Sequence, residues 1–121
     1  MTDIQKAGRS DRLFIEHSDT DGIRVVTVRG EIDHAVSDML GEALLIEDRR
    51  RPPRIVVDLR GVTFVDSSGI NAFIGAHQAA SGAQGWLRIA AAQESVLRVL
   101  RLVGVDALIS CHPTIERALS D

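Results

Sequence analysis

The sequence predicts an α/β domain built on a mostly parallel sheet. Short runs rich in β-branched residues alternate with stretches whose apolar positions recur at helical spacing. The connections between them are compact clusters of turn-forming residues, as expected inside one domain. The run Ile55-Val56-Val57-Asp58-Leu59 is almost continuously apolar, which suits a parallel strand covered on both faces. The predicted order is β-β-α-β-α-β-α-β-α, with right-handed crossovers, about four helices and an antiparallel first strand at one edge.

Each element has its own signal. Leu13-Phe14-Ile15 and residues 23–29 (IRVVTVR) read as two strands, and Asp19-Thr20-Asp21-Gly22 between them is turn chemistry, hence a tight antiparallel pair. Val36, Met39, Leu40, Ala43 and Leu44 recur at helical spacing, and Asp33 ahead of them is placed to cap a first helix over residues 35–48. Arg49-Arg50-Arg51-Pro52-Pro53-Arg54 is a charged, proline-stiffened connection whose arginines suit the negative end of that helix. The strand at 55–59 follows at the centre of the sheet, with Asp58 as a structural carboxylate at its end. After Gly61-Val62-Thr63-Phe64-Val65 and Asp66-Ser67-Ser68-Gly69, the positions Ile70, Phe73, Ile74 and His77 predict a second helix that starts at the serine pair and stops at Ser81-Gly82. Residues 86–90 (WLRIA) predict a strand. Val96, Val99, Leu100 and Val103 predict a third helix ended by Gly104, residues 107–109 a short edge strand, and Pro113 the N1 position of a terminal helix.

At 121 residues the chain has the size of one domain, expected to span residues 1–121 with a flexible polar start at 1–11. No apolar run approaches the ~20 residues that span a bilayer, and the start lacks a signal-peptide core, so the expected location is the cytoplasm. Fourteen basic against 17 acidic residues, a net charge of −3 and 3% aromatics oppose a nucleic-acid partner, which asks for a basic footprint and stacking rings. The single cysteine, Cys111, cannot form an intrachain disulfide, and Cys111-His112 lacks the spaced pairs of a zinc site. Its expected place is half inside the core as a small hydrophobe.

In open α/β sheets the functional crevice lies at the carboxyl ends of the parallel strands, where loops feed helix N-termini. Two loops there carry polar chemistry: Gly30-Glu31-Ile32-Asp33-His34 and Val65-Asp66-Ser67-Ser68-Gly69. If their strands are neighbours, Asp33, Asp66, Ser67 and Ser68 form one acidic and hydroxyl patch. On residue types alone, the helix-cap reading of all four outweighs the functional one.

The segments GEIDHA at 30–35 and VVDLRGVTFVDSSGI at 56–70, with QESVLRVLRLVGV at 93–105, resemble the STAS family of anti-sigma factor antagonists and sulfate transporter tails. The resemblance covers nearly the whole chain, and the DSSG segment after DLxGVTFV is its specific part. It implies a single STAS-like domain and a stand-alone anti-sigma factor antagonist without enzymatic activity, cofactor or metal. Ser67 fills the position at which the family's antagonists are phosphorylated, and Asp33, Asp66, Ser67, Ser68 and Gly69 fill the partner-binding positions. The implied partners are an anti-sigma factor serine kinase, bound when Ser67 is unphosphorylated so that the sigma factor is released, and a serine phosphatase acting on phospho-Ser67. His77 and Asn71 depart from the family pattern and could tune partner choice. Within the family, a stressosome-like scaffold or a transporter-associated regulatory subunit is the alternative.

Two other classes fit less well. A phosphorelay receiver needs carboxylates after its first strand and a lysine after its last, but the only lysine is Lys6. A serine hydrolase elbow needs a glycine two before the nucleophile, where Val65 stands ahead of Ser67. It also needs a base at Ser67, for which His34 and His77 are the candidates, while His17 and His112 have no spacing argument.

Overall fold

The computed structural model describes residues 4–9, 13–46 and 50–120, the first of these stretches by its backbone alone. Six strands stand side by side in chain order: β1 (Ile4–Arg9), β2 (Leu13–Thr20), β3 (Ile23–Ile32), β4 (Arg54–Val65), β5 (Trp86–Ala90) and β6 (Cys111–His112). The pairs β1/β2 and β2/β3 are antiparallel, and β3/β4, β4/β5 and β5/β6 are parallel. Strands that advance in one direction through right-handed crossovers deliver their helices to one face. The helices α1 (Ser37–Ala43), α2 (Ser67–Gly82) and α3 (Glu94–Leu102) accordingly bury Leu40, Phe73 and Leu100 in one core with Val26, Val57 and Ile89. The terminal helix α4 (Ile115–Ser120) covers part of the opposite face, where Ala118 meets Val25, Val56 and Ala90. The alternation within β4 records this sandwich, since Ile55, Val57 and Leu59 face α1 to α3 while Val56 faces α4.

Several elements differ from the sequence expectation. The polar start, expected to be flexible over 1–11, contains β1, so the strand at Leu13 is second from the edge rather than first. An edge strand is held by backbone pairing and tolerates a polar sequence, so hydrophobic periodicity does not reveal it. The first helix is shorter than residues 35–48, and its cap position is Val36 with no side-chain cap bond. The cause is the Asp33 carboxylate, whose Oδ1 accepts from Ala35 N–H at 3.0 Å and folds residues 33–36 into a turn before the helix begins. With α1 ending at Ala43, Arg50 and Arg51 lie beyond its last turn, and Arg49 falls outside the described residues.

At the other edge, residues 107–109 do not form a strand. Val105–Ala107 is a 3-10 turn, tightened by Ile109 N–H donating to Val105 C=O at 2.7 Å, and the edge strand follows at Cys111–His112. A three-residue apolar run carries no period by which to separate the two. Pro113 lies ahead of α4, whose first turn is closed by Thr114 Oγ1 accepting from Arg117 N–H at 3.1 Å. Asp58 is interior to β4 rather than at its end, because that strand runs on to Val65. Only 2% exposed, its carboxylate accepts from Arg60 N–H at 3.0 Å and Arg60 Nη2 at 3.4 Å, which gives the buried charge both a hydrogen bond and an ion pair. The other turn expectations match: Asp21 and Gly22 both have positive φ between β2 and β3, and Gly104, at φ 82, ends α3.

Candidate functional site

The carboxyl ends of β3 and β4 are neighbours, with Ile32 opposite Val65 in the parallel register. The ladder closes with Asp66 N–H donating to Ile32 C=O at 3.1 Å, so the loop after β4 is tied to the loop after β3. Thr63 Oγ1 donates to Gly30 C=O at 3.4 Å one turn of the ladder below. Gly30 has φ 112, in the left-handed half of backbone space, and stands where the register shifts between β3 and β4. The two polar loops therefore meet at one end of the sheet.

Asp66 is the N-cap of α2: with extended backbone angles, its Oδ1 accepts from Ser68 N–H at 2.9 Å and Gly69 N–H at 3.3 Å. Two of the helix's free donors are thereby satisfied. Ser67 follows as the first helical residue and is exposed. Its hydroxyl stands at the positive end of a helix 16 residues long. Ser68 is half-buried, and its Oγ lies 3.4 Å from Nδ1 of His34, which arrives from the loop after β3. Asp33, half-buried, occupies that same loop, while His34 is exposed.

Of the residues expected at the partner surface, Asp33, Asp66, Ser67 and Ser68 come together on the two tied loops. Gly69 does not share their surface. It is buried, and a Cβ at this position would stand 2.5 Å from Ile32 Cγ2 and 2.8 Å from Val65 Cγ2. Its lack of a side chain lets α2 settle onto the ends of β3 and β4, which is a positioning role. As for a hydrolytic base, His34 meets Ser68 rather than Ser67. His77 lies ten residues along α2, about 15 Å up its axis at the α-helical rise.

One exposed residue beside the site is not singled out by sequence reasoning. Phe64, paired with Glu31, is 47% exposed next to the two loops. The signal for it is weak, since an aromatic in a strand reads as core.

The chain is thus a small α/β domain that presents an exposed serine at the start of a long helix, beside two tied loops that carry Asp33 and Asp66. The STAS domain family model matches residues 15–118, and the chain belongs to that family. It is 28% identical over 113 residues to an anti-sigma F factor antagonist of Paenibacillus polymyxa, covering 90% of this chain and 94% of that protein. It is likewise 28% identical over 97 residues to an anti-sigma-B factor antagonist of Listeria monocytogenes, covering 80% of this chain and 84% of the relative. In three dimensions it is similar to the crystal structure of an anti-sigma factor antagonist from Mycobacterium paratuberculosis, with a TM-score of 0.81 and 28% identity over 93% of this chain and 95% of the other. No helix among the described residues is long and apolar enough to cross a membrane.

Proposed function

We propose that this protein is an anti-sigma factor antagonist that works by partner switching and has no enzymatic activity of its own. The observation that carries the reading is the placement of Ser67: exposed, first in α2, and beside the loop that holds Asp33. The relatives named above as anti-sigma factor antagonists support the coarser part of the reading. In this reading the unphosphorylated chain docks an anti-sigma factor kinase over the two loops and the sigma factor is released. The kinase transfers the γ-phosphoryl group of ATP to Ser67 Oγ, the hydroxyl proton is lost and ADP leaves. A serine phosphatase hydrolyses the ester and resets the switch, and all of these steps take place in the cytoplasm.

The physical argument is that the phosphate is tolerated by the fold and rejected by the interface. At the first position of α2 it meets the positive helix end, which stabilises the anion by roughly 0.3–1 kcal/mol on a surface. At a docked surface the same group adds −1.5 to −2 charges beside Asp33 and Asp66, and a desolvated, unpaired charge costs on the order of 3–5 kcal/mol. Every ~1.4 kcal/mol is tenfold in affinity, so this local change abolishes docking without remodelling the domain.

The test is a pull-down and phosphate map with the cognate kinase. Incubation with ATP is expected to add one phosphate, found on Ser67 by peptide mass spectrometry and absent in Ser67→Ala. Ser67→Asp is expected to lose the kinase by roughly 100-fold or more, equivalent to ~2.8 kcal/mol. Phosphate on Ser68, or undiminished capture by Ser67→Asp, would overturn the assignment.

A further inference from the structure

Two surfaces away from the crest of the switch loops complement each other. The first is a groove of about 610 Å³ between α1 and α2, lined by Leu44, Ala72, Gly75 and Ala79, with the exposed Asp38 and Glu42 on its rim. The second is the end of α3 and the 3-10 turn after it, where Leu102, Val103 and Leu108 are 79%, 56% and 48% exposed. Arg98 and Arg101 are exposed on the last turns of α3, and Asp106 is the acidic residue of the adjoining turn. Single exposed hydrophobics need no explanation, but several gathered at one turn and bordered by charge mark an interaction surface.

We propose that the apolar end of α3 of one copy seats in the α1–α2 groove of a second copy, so that the chain associates head to tail. Charge selects this occupant. Groove against groove would set Asp38 and Glu42 opposite their own counterparts, and α3 against α3 would set Arg98 and Arg101 opposite theirs. Only the crossed arrangement pairs the acidic rim with the basic flank, with Asp106 offsetting part of the attraction. The proposed contact is heterologous: once two copies join, the pair keeps one unused groove and one unused α3 end, and assembly continues until the ends meet or copies run out. Ser68 lines the end of the same groove, so a copy seated there also covers it.

Sedimentation velocity on the purified full chain tests the proposal. The mean mass is expected to rise with protein concentration beyond that of a dimer and to fall in 1 M salt, where the screening length shrinks to about 3 Å. Leu102→Glu removes the apolar end at an exposed position, and Arg101→Glu reverses its charge. Gly75→Leu places a side chain in the groove, and its Cβ meets nothing within 4 Å. Each variant alone is expected to stay monomeric, with far-UV circular dichroism confirming that it is folded. An equal mixture of Leu102→Glu and Gly75→Leu is the decisive sample: it retains one intact groove and one intact α3 end, so it should form a one-to-one pair and grow no further. A wild type that stays monomeric, one that stops at a dimer, a folded variant that still associates, or a mixture that stays monomeric would each overturn the proposal. None of these measurements involves the kinase, so they are decided separately from the switch at Ser67.

Discussion

The N-termini of α1 and α2 stand at the ends of adjacent parallel strands, and each is preceded by an aspartate, yet they are built in opposite ways. Asp66 caps a 16-residue helix through Ser68 and Gly69 N–H, and the glycine lets that helix press against Ile32 and Val65. Asp33 spends its carboxylate on Ala35 N–H and precedes a turn, after which a seven-residue helix starts without a side-chain cap. Gly41 inside α1 touches nothing that a Cβ would disturb. One aspartate is thus a structural part of the helix it precedes, while the other shapes a loop and leaves its helix to be stabilised by the buried Leu40 and Ala43.

Substitution at the paired positions sharpens this contrast. The largest effect is expected at Gly69→Ala, where the new methyl group must displace Ile32 and Val65; overpacking of this kind destabilises by about 1–3 kcal/mol, read as a lower midpoint in urea denaturation. Asp66→Ala should lose about 1 kcal/mol by the same measurement, the usual worth of an N-cap. Gly41→Ala should move the midpoint the other way, a gain of up to about 1 kcal/mol from helix propensity with no clash. Asp33→Asn keeps an acceptor for Ala35 N–H and should change stability by less than about 0.5 kcal/mol while weakening kinase capture. Equal losses of stability at Asp33 and Asp66 would erase the distinction between the two loops.

The smallest expected effect lies outside both loops and serves as a control. Cys111 is half-buried on β6, and burial raises its thiol pKa, with Asp106 adding to the rise and Arg101 opposing it. Less of the reactive thiolate is present at neutral pH. Iodoacetamide should therefore modify Cys111 more slowly than a free cysteine at the same pH, and equally in wild type and Gly69→Ala if that substitution acts locally.

The contrast also explains what was legible in the sequence. The second helix is readable because its signals agree: Asp66 caps, Ile70 and Phe73 recur at helical spacing, and both apolar residues are buried where that spacing points. At the first helix they conflict, since the aspartate ahead of the periodic run bonds locally and the helix begins three residues after a cap at Asp33 would place it. The polar edge strand β1 and the two-residue β6 depend on backbone pairing with a neighbour, a relation between distant segments that no local pattern records. Within the site, the juxtaposition of Asp33, Ser67 and Ser68 follows from strand order and could be anticipated. The burial of Gly69 and the approach of His34 to Ser68 depend on how closely α2 sits against β3, which spacing does not encode.

The hydrogen bond from Asp66 N–H to Ile32 C=O has a mechanical consequence. A flexible loop that acquires a phosphate can swing aside and dissipate the strain of an unwelcome neighbour. Here the segment carrying Ser67 is fastened at its root to the last residue of β3, just ahead of Asp33, and the first turn of α2 is fastened to Asp66 itself. The assembly has little compliance, so in the proposed switch repulsion arising at Ser67 would act on the docked partner instead of being absorbed by the domain. A switch of this kind depends on stiffness, and the amide proton of Asp66 should exchange with solvent among the slowest of any loop position in the molecule.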